Sequence, residues 1–218
     1  MVQNQDSDKS GSQVVAPYRN WDDCYKKGKD SLPWDTGEAA PELVRYLESV
    51  ELFPGNVLEI GCGTGTNAVW MARRGASVVA TDISPKAVEI AKTKQNEASV
   101  SIDFRVADII VESPVADASV DFVFDRGVYH VMQTPEFRKT FIDRVAAALK
   151  DGGFWLCVSG SADEQRAEGE EGPPQLKASD LVDLAEEKFE LFSLQRILSV
   201  GPHNRPPIVM WEALYRKR

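Results

Sequence analysis

The stretch VLEIGCGTGTN, Val57 to Asn67, decides the fold. It opens with an apolar run and breaks into three glycines, Gly61, Gly63 and Gly65. The run 57–61 reads as a buried strand, and 66–74 as a helix stopped by Gly75. A strand that turns through glycines into a helix brings bare backbone close to something. Three things fit: a dinucleotide, a smaller nucleoside-containing cofactor, or only a tight turn.

Outward from this unit the same alternation repeats. Strands are predicted at 77–82 (SVVATD), 101–108 (SIDFRVAD), 120–127 (VDFVFDRG) and 154–160 (FWLCVSG). Helices between them start at Ser84-Pro85 and Thr134-Pro135, where a hydroxyl can cap the helix and proline suits its first turn. Pro41 begins an earlier helix, with Leu43, Val44 and Leu47 on one face, and Pro54-Gly55 marks a turn. A further helix is expected at 178–188. Two strand-like runs, 189–200 and 207–216, close the chain as an antiparallel hairpin. Strand–helix alternation means an α/β, Rossmann-like, mostly parallel sheet of seven strands with helices on both faces. The polar segment 162–175 follows a strand's C-terminal end, where open α/β sheets bind ligands; it is a lid or a solvated connection.

The 218 residues suffice for one domain, expected over 16–218, with 16–47 as an N-terminal lid segment and 1–15 as a disordered tail. Hydrophobic residues make up 43%, ordinary for a globular chain. No apolar run reaches the roughly 20 residues of a membrane span. The first residues lack the apolar core of a signal peptide, so a cytoplasmic setting without membrane contact is expected. Three widely spaced cysteines, Cys24, Cys62 and Cys157, argue against a disulfide framework and match no zinc spacing; no metal is expected. The net charge of −9 disfavours nucleic acid and leaves small molecules as partners. Monomer and homodimer both remain open.

The glycine spacing narrows the cofactor. A dinucleotide loop has G-x-G-x-x-G; here the third glycine, Gly65, comes one place early and Thr66 stands in the last position. A tight G-x-G-x-G preceded by Glu59 is the pattern of class I methyltransferases using S-adenosylmethionine (SAM), whose methionine part must pass close over backbone. Cys62 is a small residue tolerated inside the loop. Asp82, with Ile83 beside it, ends the second strand, where a carboxylate can take two ribose hydroxyls. Asp108 and Ile109 end the third strand; in SAM enzymes such a pair meets the adenine. Asp125 ends the fourth. Each aspartate alone is consistent with an N-cap or a solvated loop residue; their succession on consecutive strand ends points to SAM.

The chain resembles class I methyltransferases from about Trp21 to its end, and more narrowly the thiol, halide and thiopurine methyltransferase group. The narrower likeness lies in WDDCYKKGKDSLPWDTGEAAPELV: Trp21 with Tyr25, then Pro33-Trp34-Asp35-Thr36-Gly37. The resemblance implies that Trp21, Tyr25 and Trp34 fold over cofactor and substrate, although such aromatics also serve simply to anchor a segment on a core. A sulfonium cation is attracted to aromatic faces. After the fourth strand the plant halide and thiol enzymes of that group have an aromatic-rich stretch, and the chain departs from it with Asp125-Arg126-Gly127-Val128-Tyr129-His130. There is no N-P-P-Y or D-P-P-Y, which argues against DNA bases as acceptors.

Methyl transfer from SAM expels a neutral thioether, so the enzyme supplies alignment, desolvation and, where needed, a base. Tyr129 and His130 are the candidates for a base or substrate contact, and Arg126 for orienting an anionic acceptor or pairing with a nearby carboxylate. His203 is read as structural or solvated. The expected activity is methyl transfer to a small molecule, such as a thiol, chalcogen or halide. An O- or N-methyltransferase of small metabolites and a non-catalytic SAM-binding protein are the alternatives. An NAD oxidoreductase is disfavoured by Thr66.

Overall fold

A computed structural model describes residues 20–28, 32–50, 53, 55–166, 172–202 and 206–218. The expected N-terminal tail, Pro54 and His203 lie outside the described residues. Seven strands form one sheet: β1 (Asn56–Ile60), β2 (Ser77–Asp82), β3 (Asp103–Val106), β4 (Val120–Arg126), β5 (Leu149–Gly160), β6 (Phe189–Ser199) and β7 (Ile208–Lys217). Their order is β3-β2-β1-β4-β5-β7-β6. The first five run parallel. β7 is antiparallel to β5 and to β6, which gives the expected C-terminal hairpin.

The helices are α1 (Trp21–Lys26), α2 (Pro41–Ser49), α3 (Thr66–Arg73), α4 (Pro85–Ala98), α5 (Pro135–Ala148) and α6 (Ala178–Val182). Proline opens α2, α4 and α5 at the first turn, where its missing N–H costs nothing. Ser84 caps α4 by accepting from Ala87 N at 3.1 Å, and Thr134 caps α5 by accepting from Phe137 N at 3.3 Å. Two expectations needed adjusting. Residues 21–26, read only as an aromatic-rich segment, form α1. The helix expected over 178–188 stops at Val182 and gives way to turns.

Strand alternation sorts the core into two layers. Leu58, Val123, Trp155 and Cys157 face one side with Phe141, Ile142 and Val145 of α5. Val57, Phe122, Phe124 and Leu156 face the other with Leu43 of α2, Met71 of α3 and Ala91 of α4. A period of two with apolar residues on both faces is what a doubly covered parallel sheet requires. The strand order reverses between β1 and β4, and loops from their C-terminal ends diverge there to leave a crevice. Among the described residues no helix is long and apolar enough to cross a membrane.

Candidate active site

A cavity of about 730 Å³ opens at that crevice, within the range of small-molecule and cofactor sites. One end is built by the loops after β1, β2 and β3, the other by the turn after β4, the described ends of the 162–175 segment and the β6–β7 connection.

At the first end, Gly61, Cys62, Gly63, Thr64 and Thr66 form one wall with Asp82, Ile83, Asp108 and Ile109. The Asp82 carboxylate is buried and accepts from Gly63 N and Ser84 N, both at 2.9 Å, which fixes it against the glycine loop. Burial raises its pKa. Gly61 and Gly63 have positive φ, +69° and +53°. An alanine Cβ at Gly61 would stand 2.1 Å from Val128 Cγ2, and one at Gly63 2.9 Å from the Tyr25 hydroxyl. The bare backbone therefore admits the protein's own cavity walls. Gly65 does not line the cavity; a Cβ there would meet Ala91 and Phe104 in the core at 2.8 Å.

Glu59 also lies behind the wall. Its Oε1 accepts from Asn67 Nδ2 at 3.1 Å, while its Oε2 is buried without a hydrogen-bond partner among the described residues. Burial pushes its pKa up to about 8. Cys62 is buried too, and burial pushes its thiol well above the ordinary range, so it is no nucleophile.

The N-terminal segment covers this end. Trp34 meets Trp21 edge-on at 5.6 Å and Tyr25 at 6.2 Å, and all three line the cavity. Two carboxylates pin the segment. Asp22 Oδ1 accepts from Ser84 Oγ and Lys86 N, both at 2.8 Å, at the N-terminus of α4. Asp35 Oδ2 accepts from Thr64 Oγ1 at 2.8 Å. Neither partnership was legible in the sequence, since Asp22 and Ser84 are 62 residues apart.

At the other end the post-β4 candidates separate. Asp125 and Tyr129 do not line the cavity. Asp125 is fully buried; Oδ1 accepts from Val128 N at 3.1 Å and Tyr129 N at 2.9 Å, and Oδ2 from Trp155 Nε1 at 3.1 Å. It shapes the turn from inside and cannot reach a ligand. Tyr129 packs against Phe141 and Trp155 and donates to Asp180 O at 2.9 Å, so it is a core residue and no base.

His130 lines the cavity, but its Nδ1 is engaged. Nδ1 accepts from Gly160 N at 3.0 Å, which leaves the proton on Nε2. Burial, with Arg126 and Arg166 nearby, lowers its pKa to about 4. A neutral imidazole with its lone pair already used is a poor base. This predicts a pH signature. The unfolded chain takes up a proton on this residue near pH 6.5 and the folded chain only near 4. Stability is full above 6.5 and falls as pH drops through that window, by about 3 kcal/mol from this group. Urea unfolding between pH 7 and 4.5 should show that decline, and His130→Asn should flatten it; parallel slopes would contradict this placement.

Arg126 lines the cavity with Nε on Glu42 Oε1 and Nη2 on Ser199 Oγ, both at 2.7 Å. Pairing, one of the two roles expected for it, is thus present. Arg166, absent from the sequence expectations, joins it, held by an ion pair to Glu164 and by Pro173 O at 2.7 Å. Gly172, Pro173 and Pro174 also line the cavity, so the described ends of the 162–175 segment reach the site.

The comparisons agree with this geometry. The sequence profile of the thiopurine S-methyltransferase family matches residues 17–215. The chain belongs to that family. Its members are class I SAM-dependent methyltransferases, and the seven-stranded sheet with its C-terminal hairpin is their fold. Similar curated relatives include a 2-heptyl-1-hydroxyquinolin-4(1H)-one methyltransferase of Mycobacteroides abscessus, 29% identical over 58% of this chain and 55% of that protein. A probable thiol methyltransferase 2 of Arabidopsis thaliana is 30% identical over 84% of this chain and 79% of that one. The match thus spans little more than half of the first relative. A solved structure concerned with conversion of a disulfide bond into a thioacetal group during echinomycin biosynthesis superposes with a TM-score of 0.77, at 25% identity and 90% coverage of both chains.

The residues present fit SAM. A buried carboxylate, Asp82, stands at the β2 end, Ile83 and Ile109 offer apolar surface beside it, and three aromatic rings suited to a sulfonium cover the cavity.

Proposed function

We propose that this chain transfers the methyl group of SAM to a small acceptor that arrives already ionised: a thiolate, another chalcogen anion or a halide. SAM supplies an electrophilic methyl group. Asp82 and Asp108 would hold its nucleoside, and Thr66 and the glycine loop its amino-acid part. Trp21, Tyr25 and Trp34 would exclude water and face the sulfonium. Arg126 and Arg166 would orient the acceptor.

One observation carries the acceptor class. Among the described residues, the titratable side chains at the Arg126 end of the cavity are two guanidiniums and His130, whose Nδ1 is engaged. Guanidiniums favour an anion and take no proton from it. A thiol, with a pKa near 8.5, is partly ionised at neutral pH and needs no strong base. The Arabidopsis relative, named as a probable thiol methyltransferase, supports the same class. A second reading is an acidic hydroxyl on a heteroaromatic ring, favoured by the Mycobacteroides relative named for a 1-hydroxyquinolone. All three cysteines are buried and free, which accords with a reducing compartment such as the cytoplasm.

The test is methyl-labelled SAM against bisulfide, iodide, aliphatic and aromatic thiols, N-hydroxy heteroaromatics, phenols and amines, with product read in solution and headspace. Transfer to thiols, bisulfide or iodide supports the first reading, and transfer confined to hydroxyl acceptors the second. Binding of SAM with no product from any acceptor would favour the non-catalytic alternative. Trp34→Ala should lower kcat/KM roughly 30-fold, the equivalent of about 2 kcal/mol for a desolvated cation facing an indole. An unchanged kcat/KM would remove Trp34 from the site.

A further inference from the structure

Lys94 stands on α4 outside the cavity wall, yet its ammonium donates to two hydroxyls that form that wall. Nζ is 2.8 Å from Thr64 Oγ1 and also hydrogen-bonds Thr66 Oγ1. Thr64 Oγ1 in turn donates to Asp35 Oδ2 at 2.8 Å, and Asp35 Oδ1 accepts from Gly37 N at 3.0 Å. Thr64, Thr66 and Asp35 all line the cavity. The chain of contacts thus runs from α4 through the glycine loop into the N-terminal segment.

The chemistry of the three groups gives this chain a direction. An ammonium only donates, so each threonine oxygen receives a proton and must send its own elsewhere. Thr64 sends its proton to Asp35. Thr66 lies 3.4 Å from Thr64, too far for a strong bond, and its proton is left for an acceptor in the cavity. Thr66 is also the first residue of α3, whose N-cap, Gly65, provides no side-chain acceptor. The N–H groups of that helix end add partial positive charge at the same place.

We propose that Lys94 is a positioning residue for cofactor binding. Its ammonium sets Thr64 to hold Asp35, and with it the N-terminal segment, in the docked position. It also sets Thr66 to present its proton to the carboxylate of the cofactor's amino-acid end. Docking of the segment and binding of the cofactor are coupled through this one side chain. The inference rests on the SAM reading above.

The test uses the full chain with S-adenosylhomocysteine, titrated by calorimetry, and trypsin cleavage after Lys26 and Lys27 followed by mass spectrometry. The variants are Lys94→Met and Lys94→Arg, with Lys92→Met as a control for loss of one exposed charge on the same helix. The expected result is that the ligand protects wild type from cleavage. Lys94→Met should bind about tenfold or more weakly with unchanged thermal stability and lose that protection, Lys94→Arg should recover part of both, and Lys92→Met should match wild type. If Lys94→Met binds within twofold of wild type and is equally protected, the inference fails while the SAM reading stands. If Lys92→Met loses as much as Lys94→Met, the effect is general charge and the inference also fails. If wild type binds no S-adenosylhomocysteine, both fall together.

Discussion

Gly61→Ala should reduce binding of S-adenosylhomocysteine more than 100-fold. Two costs coincide at this position. The backbone has φ of +69°, where a Cβ costs roughly 1–2 kcal/mol. The new methyl would also stand 2.1 Å from Val128 Cγ2, far inside van der Waals contact. Val128 is β-branched and stiff at χ1. Its backbone is held in place by Asp125, which accepts its N–H at 3.1 Å. The clash is therefore relieved by driving Val128 into the cavity or by lifting the glycine loop away from Thr81, whose carbonyl accepts Cys62 N at 2.8 Å. Either movement deforms the wall that faces the cofactor. Calorimetric titration measures the loss. The double variant Gly61→Ala/Val128→Ala removes the clash and keeps the backbone strain, so it should recover much of the affinity but not all of the stability. If the double variant binds no better than Gly61→Ala, the clash is not the cause.

The second large effect is on stability. Asp125→Ala should destabilise the protein by about 3–5 kcal/mol, because one buried carboxylate satisfies three donors: Val128 N, which is part-buried, and Tyr129 N and Trp155 Nε1, which are buried. For a chain of this size that corresponds to a fall in Tm of about 6–20 °C. Asp125→Asn should recover only part. Its amide oxygen can serve the two backbone N–H groups, but its NH₂ would then face the Trp155 indole N–H, donor against donor. Thermal unfolding of the three proteins gives the order wild type, Asp125→Asn, Asp125→Ala. Were Asp125 a ligand contact instead, the loss would appear in cofactor affinity with Tm nearly unchanged.

The course of the chain was legible because it is written in local patterns. Strand–glycine–helix at 57–74, Ser84-Pro85 and Thr134-Pro135 specify starts and stops within a few residues of each other. Alternating apolar residues on both faces specify a covered sheet. The ends of successive strands placed Asp82 and Asp108 on the cavity, where the structure has them. The same rule failed for Asp125. Its strand-end position is right, but the side chain turns inward to Trp155, and a side chain's direction after a strand end depends on which buried donors await it. Tyr129 and His130 were chosen for their chemistry. That Tyr129 points into the Phe141 and Trp155 cluster, and that His130 spends its lone pair on Gly160 N, depends on elements 12 to 30 residues away.

The sequence by itself determined the doubly wound sheet, the glycine loop, the aromatic N-terminal segment and the class of cofactor these imply. Each follows from periodicity, backbone freedom or a contiguous motif, and such signals survive in one dimension. Only the tertiary structure decided which polar groups face the cavity and which are consumed in holding it together. It brought Arg166 beside Arg126, Asp22 onto the end of α4, and Lys94 behind Thr64 and Thr66. The physical reason is that a polar side chain's role depends on whether its hydrogen-bonding capacity is already spent, and its partners are set by packing between segments far apart in the chain.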